Sequence, residues 1–234
     1  MRPSPMMIFR KIFVAAVLGL SAFSAHAVLL NPGDFAIPLP GTTVAAEPQL
    51  AGTVLVDELI PFSFSAGTGL GNITGQVQQR IVQSSVDGTL DFYWRVMNDA
   101  NSAAAIGSFR LGNFISPEYN ANWRSDGLGD KAPDEADRFS GSYDSFVNFD
   151  FNVFSTNPAD GLLPGQSSYF MFLDTTATNY ARTASFDLTN MEQDPISGQF
   201  AAYSPTPVPI PAAAWLLGSG LIGLVGLTRK RKAA

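Results

Sequence analysis

The chain has 234 residues with 20 acidic and 14 basic side chains, no cysteine and a single histidine, His26. Without cysteine, thiol catalysis, cysteine zinc sites and iron–sulfur clusters are excluded, and an exported form must be held by its core rather than by disulfides. Without a histidine beyond position 26, Ser-His-Asp triads and imidazole metal sites are excluded from the remainder of the chain.

The N-terminal stretch MRPSPMMIFRKIFVAAVLGLSAFSAHA carries Arg2, Arg10 and Lys11, then an apolar run from Ile12 to Phe23, then Ala25 and Ala27 flanking His26. This is the layout of a secretory signal peptide over residues 1–27, and it predicts removal by signal peptidase with a mature start near Val28. The apolar run is shorter than the roughly 20 residues of a membrane span. All 20 acids lie between residues 28 and 206 with seven of the cations, which gives that portion a formal charge of −13. Such a domain repels nucleic acid and anionic membrane, so neither is expected as a partner. Its length suits one domain with a real core, and its wealth of Phe, Leu, Ile and Val argues against disorder.

Residues 28–49, NPGDFAIPLPGTTVAAEPQ among them, are rich in Pro and Gly and are expected to lie along the surface before the first strand. Residues 50–203 read as strands throughout. GTVLVDELIPFSFSAGTG joins a β-branched run to alternating Phe62 and Phe64 and is closed by glycines. In QVQQRIVQSSVDGTLDFYWRVMND the Asp87-Gly88 pair predicts a two-residue hairpin turn. Pairing outward from it puts Leu90, Phe92, Trp94 and Val96 on one face, Ile81 opposite Trp94, and Asp91, Tyr93 and Arg95 on a wetter face. SFVNFDFNVFS alternates Val147, Phe149, Phe151 and Val153 with Asn148, Asp150 and Asn152. SSYFMFLDT, TASFDLTN and QFAAYS are shorter, aromatic-rich runs bounded by Pro, Gly, Asn or Asp. No long amphipathic helix is evident, and the fold class expected is all-β, an antiparallel β-sandwich of jelly-roll or immunoglobulin-like type with Ile81, Phe92, Trp94, Phe149 and Phe151 buried.

Two stretches within the domain are candidate binding sites. SDGLGDKAPDEADRFSG concentrates Asp126, Asp130, Asp134, Glu135 and Asp137, and a carboxylate loop of this kind suits the many oxygens that Ca²⁺ requires. Leu128 breaks the EF-hand pattern, so a solvated acidic loop is favoured and no cofactor is otherwise expected. SPEYNANWRSDG places Tyr119 and Trp123 in a loop-like segment as candidate sugar-stacking residues, whereas Trp94 belongs to the core stripe.

The C-terminus reads as three pieces: a Pro-rich spacer over 204–211, an uncharged apolar segment over 212–228, and a basic tail over 229–234 carrying Arg229, Lys230, Arg231 and Lys232. Seventeen residues without charge span about 25 Å as a helix, at the lower edge for a bilayer. The basic cluster should stay cytoplasmic, and Trp215 sits where an interfacial aromatic would. VPIPAAAWLLGSGLIGLVGLTRKRK, with Val208, Pro209, Ile210, Pro211 and Ala212 ahead of the apolar segment, resembles the PEP-CTERM sorting signals of Gram-negative bacteria. The nearest variant is the one with Val-Pro-Leu-Pro-Ala, from which Ile210 departs. The resemblance implies recognition by an exosortase, cleavage near the proline motif after transient anchoring through residues 212–228, and a link to exopolysaccharide and biofilm. It covers about 25 residues and does not extend to the domain.

The resulting expectation is an exported, non-enzymatic surface or matrix protein, retained in an extracellular polysaccharide layer. Two other classes stay open: a carbohydrate-binding module using Tyr119 and Trp123, and a glycosidase using two carboxylates about 5–10 Å apart in a cleft.

Overall fold

The computed structural model describes residues 26–206 except 144, 153, 154 and 156. The signal segment through Ala25, Val153, the sorting motif at Val208, Pro209, Pro211 and Ala212, the apolar segment 212–228 and Arg229, Lys230, Arg231 and Lys232 lie outside the described residues. Among those described, no helix is long and apolar enough to cross a membrane.

Twelve strands follow in order: β1 (Val28–Leu29), β2 (Ile37–Pro38), β3 (Gly52–Ser65), β4 (Asn72–Ser84), β5 (Leu90–Asn98), β6 (Ile106–Gly112), β7 (Tyr119–Trp123), β8 (Glu135–Arg138), β9 (Val147–Asp150), β10 (Met171–Thr175), β11 (Tyr180–Asn190) and β12 (Phe200–Pro205). They make two six-stranded antiparallel sheets, one in the order β1-β7-β10-β5-β4-β3 and the other β12-β11-β6-β9-β8-β2. Period-2 alternation sends one side of each strand between the sheets. There Trp94 meets Phe109 with ring centroids 5.8 Å apart, and Phe109 stacks on Phe186 at 5.4 Å. Ile81, Phe92, Trp94, Phe149 and Phe151 are all buried in this core, as the alternation predicts.

The β4–β5 connection differs from the expected two-residue turn. Gln83 pairs with Leu90, and Ile81 faces Phe92 rather than Trp94. Only Gly88 takes positive φ, at 77°, while Asp87 accepts hydrogen bonds from the Thr89 amide and hydroxyl and Ser84 accepts from the amides of Val86 and Asp87. A type I′ turn needs two residues at positive φ; these side-chain bonds offer the backbone a wider loop instead. The register moves by two residues, so every side chain keeps its predicted face.

The N-terminal segment is not a surface appendage. β1 pairs with β7 at the edge of the first sheet and β2 with β8 at the edge of the second, and Leu30, Leu39 and Leu50 are buried. Its hydrophobic residues therefore help close both sheets. Residues 41–51 then cross the outer face of the first sheet, where Leu50 and Val44 pack with Val82, Tyr93, Phe170 and Phe172 in a second, smaller apolar cluster. That cover explains why Asp91 and Tyr93, expected on a wet face, are buried. At the opposite edge of this sheet β3 runs for 14 residues with only β4 beside it among the described residues, and Val54, Leu55 and Leu59 are exposed. The Glu58 carboxylate on β3 clasps the second sheet by accepting from Arg182 at 2.7 Å and from the Tyr203 hydroxyl at 2.9 Å.

Candidate functional site

The register sets out the outer face of the first sheet as cross-strand rows. One row carries Val82, Asp91, Asp174 and Asn120; the next carries Asp57, Arg80, Tyr93, Phe172 and Asn122; the third carries Leu59, Gln78 and Arg95. Phe170 joins the third row because its carbonyl accepts from the Arg124 amide at 2.8 Å. The segment 41–51 roofs the first two rows. It is tied down by the Gly41 amide on Asn122 Oδ1 at 2.8 Å, the Val44 amide on Asp126 at 2.9 Å and the Tyr93 hydroxyl on the Leu50 carbonyl at 3.0 Å.

The third row stays open. Between it and the turn at Gly127 and Leu128 lies a cleft of about 290 Å³, lined by Gln78, Arg80, Val82, Tyr93, Arg95, Arg124, Gly127, Leu128 and Phe170. Three of the domain's seven cations thus converge in one place on a chain whose formal charge there is −13. The Phe170 ring organises two of them, with the Arg80 guanidinium 4.8 Å and the Arg95 guanidinium 5.3 Å from its centroid. Cation–π contact of this kind fixes a guanidinium without neutralising it.

The three arginines differ in their counter-charges. Arg80 pairs with Asp57 at 2.7 Å, and Arg124 pairs with Asp126 at 2.6 Å while donating to the Leu50 carbonyl at 3.3 Å. Burial alone would raise Asp57 and Asp126, yet the hydrogen bonds from Arg80 and Gln78 on one and from Arg124 and the Val44 amide on the other hold both below the ordinary value. Arg95 has no carboxylate within ion-pair distance among the described residues; it reaches Met97 Sδ at 3.4 Å, and its Nε is buried without a partner. Burial first and the charge of Arg80 second lower its pKa. One guanidinium is therefore left without an ion-pair partner in the cleft, with Asp57 and Asp130 acting on it only at longer range. A planar fork in such a setting recognises an oxyanion.

The residues singled out in the sequence do not line this cleft, and the structure corrects the reading of SPEYNANWRSDG. SPEYNANWRSDG contains the strand β7, not a loop. Tyr119 is 1% exposed, edge-on to Phe114 at 5.6 Å and under the Arg138 guanidinium at 4.3 Å, so it is a core residue and offers no stacking face. Trp123 is half-buried, its Nε1 donating to the Leu39 carbonyl at 3.0 Å and its ring 5.0 Å from that of Tyr169. It also presses on Gly41, where an added Cβ would fall 2.4 Å from the indole and φ is +76°.

The acidic loop disperses in the same way. Asp126 bonds Arg124 and the Val44 amide, Asp130 accepts from the Ser167 amide, Asp134 pairs with Lys131 at 3.0 Å, and the buried Asp137 accepts from the Ala36 amide at 2.7 Å. These carboxylates are spent on tying the loop to its neighbours, and no group of three acids suited to a metal occurs among the described residues.

The acids that the fold does bring together were not singled out as pairs. Asp91 sits directly across the ladder from Asp174 at 1% exposure, and neither of its oxygens finds a donor. Burial, then the neighbouring Asp174, push Asp91 up to about 9, so it keeps a proton at neutral pH. In the other sheet Asp150, 2% exposed beside Asp137, is raised to about 7 by burial and by that neighbour.

No protein-family model, curated protein or solved structure matches the chain.

Proposed function

We propose that the chain is an exported surface protein whose β-sandwich binds an anionic ligand through the arginine-lined cleft of the first sheet, without catalysis. In this reading the signal peptide directs export, and the Val208–Ala212 motif with its apolar segment and basic tail marks the protein for exosortase processing and release into an extracellular polysaccharide layer. The observation that supports it best is the convergence of Arg80, Arg95 and Arg124 around Phe170 on a domain that is otherwise strongly acidic. A general negative field keeps polyanions off most of the surface and leaves one place where they are attracted. Such a domain holds a polymer locally rather than coating it.

The test is made on protein recovered from an exosortase-bearing host. Intact mass should show the loss of everything beyond residues 208–212, and an acidic polysaccharide matrix should retain the protein in a salt-dependent way where a neutral one does not. Protein still carrying Arg229–Ala234 overturns the sorting assignment. Equal passage through both matrices overturns the binding assignment.

A further inference from the structure

One guanidinium in the cleft, not three, lacks an ion-pair partner, because Arg80 and Arg124 already hold carboxylates of their own. We infer that the cleft takes a singly charged sugar carboxylate, a uronate residue of a glycan, with Arg95 as the residue that binds the carboxylate. This rests on the binding reading above and names its ligand class.

Three features favour that class. A monoanion matches the one guanidinium without an ion-pair partner; a phosphomonoester dianion would bring a second negative charge toward Asp57 and Asp130, which already act on Arg95. The exposed Leu128, with 71% of its surface accessible, gives an apolar side for the face of a pyranose above the buried Phe170 and Val82, while Gln78, whose amide nitrogen donates to Asp57, keeps its carbonyl oxygen for a hydroxyl. The volume of about 290 Å³ is at the small end of ligand clefts and suits one sugar unit. Arg95 is also available to serve: beyond its place over the Phe170 ring, its guanidinium has one weak sulfur contact and no carboxylate in ion-pair distance among the described residues.

The experiment uses full-length chain in detergent and isothermal titration with three probes: a galacturonate oligosaccharide, the same oligosaccharide after reduction of its carboxyls to alcohols, and glucose 6-phosphate. The galacturonate probe should bind, the reduced probe should bind at least about tenfold more weakly, and Arg95→Gln should abolish that difference while leaving the melting temperature unchanged. Arg110→Gln, on the second sheet, should bind like the parent. Equal affinity for the two oligosaccharides overturns the carboxylate assignment while keeping glycan binding, and tighter binding of glucose 6-phosphate overturns it in favour of phosphate. Failure of all three probes, together with equal passage through acidic and neutral matrices, removes the underlying binding reading as well.

Glu47 poses a separate problem of charge. Its side chain is 7% exposed; Oε1 accepts from the Ala27 amide at 2.9 Å, and Oε2 is buried without a partner. The one basic side chain within 4 Å among the described residues is His26, its Nδ1 at 3.7 Å on a side chain 64% exposed. A buried carboxylate ordinarily has a cation or several donors. Cleavage after Ala27 would remove this amide and create an α-ammonium on Val28, one residue step of about 3.8 Å further on, where β1 holds the chain against Ala121.

The geometry points to Glu47 as the receptor for the mature N-terminus, so that signal-peptide removal completes a buried ion pair and fastens residues 43–50 over the sheet. N-terminal sequencing should give Val28, and the α-amino group should titrate well above the ordinary value of about 7.7–8.0. Glu47→Gln should return that titration to the ordinary range and lower the melting temperature of the processed chain more than that of the unprocessed one. An ordinary α-amino titration in the parent protein overturns the assignment, as does an equal effect of Glu47→Gln on both forms.

Discussion

Asp91→Asn removes a proton that the fold must hold. An aspartate in the unfolded chain titrates near 3.8, whereas burial and Asp174 push Asp91 up to about 9. Between those values the folded state binds one more proton than the unfolded state, so stability falls as pH rises across that window and levels off above it. From 3.8 to pH 7 is about three pH units, each about 1.4 kcal/mol, an upper bound of about 4 kcal/mol. Relaxation around a buried group lowers the measured share, and about 2 kcal/mol is expected for the variant at pH 7. The new amide is close in shape and can donate to Asp174, so little packing is lost. In a domain of this size that gain raises the melting temperature by about 4–8 °C. Thermal unfolding of both proteins at pH 4, 5, 6, 7 and 8 reads it directly. The advantage of D91N should be near zero at pH 4 and grow toward pH 8. A variant less stable than the parent at pH 7, or a difference independent of pH, would refute the buried protonated state of Asp91.

The parent protein should be most stable at about pH 4: Asp57, Glu58, Asp87 and Asp126, held low by their hydrogen bonds, lose their contribution as pH falls toward about 3, and Asp91 and Asp150 lose theirs as pH rises from there. A melting temperature that climbs steadily to pH 9 would contradict this. Phe109→Ala empties the space between Trp94 and Phe186 and should cost about 3–5 kcal/mol in chemical denaturation. Gly41→Ala forces a Cβ into the Trp123 ring from a left-handed backbone, so indole fluorescence should shift to the red as the ring is displaced. Millimolar Ca²⁺ should leave the melting temperature unchanged, and Asp130→Ala should lower it equally with or without the ion through loss of the Ser167 contacts.

The sandwich was legible because alternation survives errors of register. Moving the β4–β5 pairing by two residues leaves Ile81 and Phe92 on the core side, and a reader who places the turn wrongly by that amount still finds the core. The same property carried a signal for the cleft: Arg80 and Arg95 fall on the outer side under either register, one step apart on adjacent strands. What period-2 reasoning cannot supply is cover. Asp91 and Tyr93 are on the predicted face and yet buried, because residues 41–51 return over them from a segment whose prolines and glycines read as loop. Tyr119 shows the converse. Beside Pro117 and Asn120 its short strand has no run of apolar residues to announce it, and only the ladder with β10 and β1 turns it inward. Arg124 and Phe170 lie 46 positions apart in the sequence, and nothing local places them in contact.

Strand β3 joins length, apolar surface and unmade backbone hydrogen bonds on one margin of the molecule. A margin of that kind is a template on which a second extended chain can be laid, and the surrounding sequence reads as a set of deterrents. Asp57 and Glu58 put two acids between Leu55 and Leu59, and Pro61 withholds an amide from the ladder's outer side. The domain's net negative charge adds to them most in dilute salt, where approaching copies repel over tens of ångströms, and its reach shrinks to about a few ångströms near molar salt. Crowding the protein into a brine or an acid layer therefore loosens that protection, and the first contact between copies falls on Val54, Leu55 and Leu59.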